Sequence, residues 1–129
     1  MTAKSNQPDA WFTKAEADLR AAELLLKTAN PLLDIVCYHA QQCAEKYLKG
    51  YLILRSVSFK FVHELVYLTR LCVDQDPAFS EIIDIASELQ DYATGVRYPD
   101  DDLDEPTFQE AERAVNFAKE IKAFIMQRV

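Results

Sequence analysis

The chain has 129 residues and a net charge of −7, with 14 Lys/Arg against 21 Asp/Glu, and is 50% hydrophobic and 27% charged. That length predicts one domain spanning 1–129, with a core that needs no disulfide or metal staple. Two glycines and five prolines are too few for a turn-rich all-β protein, and no apolar run approaches the ~18 residues of a membrane span.

The opening MTAKSNQPDA lacks the apolar stretch of a secretory signal, so a cytoplasmic location and no membrane contact are expected. Cys37, Cys43 and Cys72 form no CxxC pair and read as reduced, buried thiols. The acid excess argues against broad binding to nucleic acid, and no DNA partner is expected. It is unevenly spread, however. Residues 1–70 carry nine Lys/Arg against seven Asp/Glu, and residues 71–129 carry five against fourteen. A local basic site is therefore possible in the first half.

Periodicity predicts helix nearly throughout. Trp11, Ala15, Leu19, Ala22 and Leu26 recur at helical spacing after Pro8, and Asn30-Pro31 ends that first helix. A second runs from about Asp34, read as an N-cap, to about Arg55, with Ala40, Ala44, Tyr47, Tyr51 and Leu54 inward. A short third covers about Val62–Val73. Asp76-Pro77 opens a fourth, which Gly95 can stop in a left-handed turn. Glu105 and Pro106 open the last helix, whose stripe is Phe108, Ala111, Val115, Ala118, Ile121 and Ile125. Four long helices and one short one make an all-α, antiparallel up-and-down bundle.

Motifs for a P-loop, a dinucleotide fold, a zinc protease or an α/β-hydrolase are absent. Two histidines, His39 and His63, cannot build a dinuclear carboxylate centre, so neither a metal nor a cofactor is expected. The polar residues left on helical spacing are Gln42, Glu45, Lys46 and Lys49. At ~100° per residue they form one stripe, whose plainer reading is a solvated face with an exposed Glu45–Lys49 pair. His63, near a helix start, would favour the neutral imidazole of a general base, or simply cap. Arg97-Tyr98 joins a phosphate-binding guanidinium to a ring that can stack on a base. Asp100–Asp102 is a weak Mg²⁺ candidate and more simply a solvated cap.

Four patterns together resemble a known family. They are Trp11-Phe12-x-x-Ala15-Glu16-x-Asp18-Leu19-x-x-Ala22, Tyr38-His39-Ala40-Gln41-Gln42-Cys43-Ala44-Glu45-Lys46-Tyr47-Leu48-Lys49, His63-Glu64-Leu65, and Arg97-Tyr98-Pro99-Asp100. In this order the chain resembles a HEPN domain, a small helical bundle related to the C-terminal domain of kanamycin nucleotidyltransferase.

The resemblance implies a homodimer and a minimal nucleotidyltransferase as partner in a toxin–antitoxin-like pair. It further implies nucleotide contacts at Gln42, Lys46, Lys49, Arg97 and Tyr98. Ribonuclease members of the family carry Arg, four to six residues, then His. Here seven residues separate Arg55 from His63, which favours a non-catalytic module. The alternatives are a metal-independent ribonuclease toxin acting on RNA, with His63 as base and Arg97 or Lys49 as cation, and a purely structural dimeric interaction protein. Phe12, Phe59, Phe61 and Tyr67 are the aromatics expected to be exposed for dimerisation.

Overall fold

The computed structural model of the protein describes residues 7–92 and 105–129. Five α-helices follow in order: α1 (Pro8–Leu26), α2 (Leu33–Leu54), α3 (Leu65–Gln75), α4 (Ile83–Tyr92) and α5 (Phe108–Met126). A 3-10 segment, Pro77–Ile82, leads into α4. No strand occurs among the described residues, and the all-α bundle is as the periodicity predicts.

Helix α2 is the central post. It packs against α1, α3, α4 and α5, and 13 of its 22 residues are buried. Close approach to α1 and α5 is possible because the facing positions are small. Ala15 and Ala22 of α1, Ala40 and Ala44 of α2, and Ala111, Ala114 and Ala118 of α5 are all fully buried. At the far end of α2, Tyr51 packs on Phe79 with ring centroids 4.6 Å apart, and Phe79 on Phe124 at 4.9 Å. Arg128 lies over the Phe124 ring and bonds Asp76, tying α5 to the 3-10 segment.

Helix ends differ from the sequence reading for local reasons. α1 stops at Leu26, before Asn30-Pro31, where the Lys27 N–H bonds back to Leu24 and Leu25. The N-cap of α2 is Leu32 and has no side-chain cap, while Asp34 lies inside the first turn and takes only its neighbour's N–H, from Ile35. α3 begins at Leu65 rather than Val62. The Gln41 amide donates to the His63 carbonyl, and Glu64 is extended (φ −98°, ψ 107°), so the helix cannot start earlier.

Asp76 does cap the segment after it, accepting from the Ala78 N–H at 3.0 Å, but the first turns are 3-10. α5 is opened not by Glu105-Pro106 but by a capping box, in which Thr107 Oγ1 accepts from the Glu110 N–H and Glu110 accepts from the Thr107 N–H. Gly95 lies outside the described residues. Of the aromatics expected at the surface, Phe12, Phe59 and Tyr67 pack against the core, and Phe61 alone is open, at 95% exposure.

Candidate functional site

The predicted stripe on α2 is not a solvated face. It divides into two clusters. In the first, Lys49 Nζ lies 2.8 Å from Glu45 Oε2, with side-chain exposures of 5% and 4%. The i,i+4 pairing is as expected, but the pair is buried because the chain between α2 and α3 crosses it. His63, whose side chain is 77% exposed, places Nδ1 3.0 Å from Glu45 Oε1. A carboxylate only accepts, so Nδ1 carries the proton and Nε2 is the basic nitrogen. The charge nearest the ring is thus Glu45 rather than a helix terminus. The rings of Trp11 and Phe59 each lie 5.8 Å from the Lys49 ammonium, which supplies the cation–π contact that a desolvated Lys favours.

The second cluster joins α1 to α2. Asp18 accepts from His39 Nδ1 at 2.9 Å and from Lys46 Nζ at 2.5 Å. All three side chains are partly open to solvent. Gln42 is half-buried, with its amide 3.5 Å from the Gln41 oxygen. Beside this cluster, Glu16 accepts from Tyr47 Oη at 3.0 Å and from Lys122. The Lys122 bond holds the Glu16 carboxyl below its ordinary range. Burial, then the Glu16 bond, pushes the Tyr47 phenol well up. Cys43 lies in the same region and its thiol is pushed far up, chiefly by burial and then by Asp18 and Glu16; it is no nucleophile.

Lys46, Gln42 and Lys49 therefore share α2 as the spacing predicts, but Lys49 faces inward to Glu45 while Lys46 faces Asp18. Arg97, Tyr98 and Asp100–Asp102 lie outside the described residues. Sequence reasoning gave Asp18 no role of its own. Its signal is its position: at 11, 15, 18 and 22 it falls on the buried stripe of α1, a carboxylate where the pattern calls for an apolar side chain. Also unforeseen is a groove of about 450 Å³ beside the Lys49 cluster, lined by Trp11, Ile53, Ser56, Val57, Ser58, Phe59 and Phe61. Among the described residues no helix is long and apolar enough to cross a membrane.

Comparison with known proteins agrees with this architecture. The chain is similar to the toxin candidate MJ1304 of Methanocaldococcus jannaschii, 30% identical over 92% of this chain and 88% of the relative. The crystal structure of TT1696 from Thermus thermophilus is similar at 28% identity with a TM-score of 0.77, covering 96% of this chain and 99% of that one. ST0689, an archaeal HEPN homologue, shares the fold at 24% identity with a TM-score of 0.74, over 95% of this chain and 97% of that one. The sequence model of the HEPN domain matches residues 8–129, and the chain belongs to the HEPN domain family.

Proposed function

We propose that this HEPN chain acts as the toxin-like half of a two-component pair, as a homodimer with a minimal nucleotidyltransferase partner. In this reading it binds a nucleotide on the α2 face. Lys46 is the principal phosphate contact, Gln42 is its polar neighbour, and Arg97 and Tyr98 contribute further contacts. The observation that carries the reading is the Asp18–Lys46–His39 cluster. An ammonium has three donors, and the bond to Asp18 uses one while fixing the group at a partly open surface. Lys49 contributes less, because its side chain is buried against Glu45, whereas Lys46 keeps a partly open ammonium beside Asp18. The similarity to a toxin candidate supports the toxin-like role.

Thermal unfolding with a panel of nucleotides at millimolar concentration tests the binding. A ligand of the native state raises the midpoint by mass action, so a rise of a few degrees is expected for wild type and none for Lys46→Ala. No rise with any nucleotide would contradict the reading.

One observation favours a second reading, a metal-independent ribonuclease. His63 is held at Nδ1 by a buried carboxylate and is 77% exposed, the arrangement of an oriented general base. Total RNA incubated with the protein in EDTA should then be cleaved, and His63→Ala and Arg97→Ala should lose the cleavage. Intact RNA with folded protein rules this reading out.

A further inference from the structure

The groove at the C-terminal end of α2 is lined in part by a ring that the bundle itself does not need. Three of its seven lining residues are aromatic, Trp11, Phe59 and Phe61, and Ser56 and Ser58 add hydroxyls. Phe61 is 95% exposed, so its ring contributes almost nothing to the core. The surrounding chain is also unusual in charge. From 46 to 63 it carries Lys46, Lys49, Arg55 and Lys60 and no Asp or Glu; Asp18 and Glu45 pair the two lysines of α2, and Arg55 and Lys60 add positive charge on either side of the groove's turn.

Backbone strain marks the same place. α2 ends in a Schellman turn, with the Val57 N–H bonded to the Leu52 carbonyl at 2.8 Å and the Ser56 N–H to Ile53 at 3.0 Å. The left-handed residue of that turn is Ser56, at φ 59°. Glycine is the usual occupant, since a Cβ there is strained. The chain keeps a strained serine where its side chain lines the groove.

We propose that this groove takes the base of the nucleotide. The heterocycle stacks against Trp11, Phe59 and Phe61, and Ser56 and Ser58 bond its polar edge. This placement rests on the nucleotide reading above and names where the ring goes. Rings interleaved with cations form a stacking platform for bases. The phosphate falls on the cationic side of α2: Ile53, at the groove, and Lys46 are seven residues apart on one helix face, roughly 10 Å at 1.5 Å per residue. A groove of about 450 Å³ is within the usual range for small-molecule sites.

The chain has one tryptophan, Trp11, and it lines the groove, so its fluorescence reports on occupancy. The probes are adenosine, guanosine, cytidine and uridine 5′-monophosphates, with ribose 5-phosphate as the base-free control. Saturable quenching by at least one nucleotide, and none by ribose 5-phosphate, is expected. Phe61→Ala should weaken the affinity about tenfold or more, and this exposed ring can be removed without opening the core. Ser56→Gly relieves the strain, so it should stay folded and bind more weakly.

Nucleotide binding seen by calorimetry with unchanged Trp11 emission, or with full affinity in Phe61→Ala, overturns the groove and leaves the α2 phosphate site standing. Binding in neither readout overturns both.

Discussion

Lys49 and Glu45 form an ion pair one helical turn apart in which neither side chain is more than 5% exposed, and His63 closes it from the other side at 3.0 Å. Burying two charges costs several kcal/mol that the pairing repays only while both partners are present. Lys49→Ala is therefore expected to destabilise the fold by about 3–5 kcal/mol, because the buried Glu45 carboxylate loses the Lys49 ammonium and keeps the hydrogen bond from His63. Glu45→Leu combined with Lys49→Met should restore most of that loss. Urea unfolding of the single and double variants checks both, and equal stability of Lys49→Ala and wild type would refute the buried pair.

The Glu16–Lys122 contact gives the stability curve an acid-side component. Lys122 holds the Glu16 carboxyl below its ordinary range, so the unfolded chain binds that proton more readily than the folded one. The stabilisation is present above the ordinary glutamate pKa and is lost as pH falls through the lowered value. Both side chains are well exposed, so the effect should stay below about 1 kcal/mol. Glu16→Gln should lower stability near neutral pH, and the gap to wild type should close as pH falls from the ordinary glutamate range through the lowered Glu16 value. Urea midpoints measured across that range test the convergence.

Three cysteines invite the question of reactivity, and burial answers it. Cys37, Cys43 and Cys72 are fully buried, and burial pushes the Cys43 and Cys72 thiols far up. Native protein should react with Ellman's reagent at less than about a tenth of the rate of the urea-unfolded chain, since the thiolate is the reactive form. Rapid labelling of native protein would show that a thiol reaches solvent.

Gly50 is favoured by packing rather than by backbone angle. A Cβ built there would lie 2.5 Å from Cε1 of Phe12, and Phe12 is itself stacked on Tyr47 at 5.7 Å. Alanine gains about 1 kcal/mol in helix propensity, but overpacking costs about 1–3 kcal/mol. Gly50→Ala should therefore be neutral to destabilising by up to about 2 kcal/mol. A Gly50→Ala, Phe12→Leu pair should recover stability in thermal unfolding.

The bundle was legible in the sequence because its cause is local. Stripes such as Trp11–Ala15–Leu19–Ala22 recur at 3.6 residues per turn wherever a helix buries one face. Helix ends were less legible, since the start of α3 is delayed by a bond from Gln41, 22 residues earlier in the chain.

Spacing identifies the polar stripe of α2 but not its exposure. Spacing defines a face and cannot say what covers it. Here the covering chain around Phe59 and His63 buries Glu45 and Lys49. Asp18 meets His39 and Lys46 across 21 and 28 residues of sequence, a juxtaposition that only the packing of α1 on α2 creates. The groove arises in the same way, from Trp11 at one end of the chain's first helix and the turn after α2.

Binding of a nucleotide on the α2 face through Lys46 is open to calorimetric titration. Nucleoside mono- and triphosphates are titrated into wild-type protein, Lys46→Ala and His39→Ala, with unfolding curves confirming that each variant is folded. Saturable heat is expected for wild type, at least tenfold weaker binding for Lys46→Ala, and a smaller loss for His39→Ala, which contacts the phosphate site only through Asp18. No heat with any nucleotide, or equal affinity in Lys46→Ala, would contradict binding through Lys46.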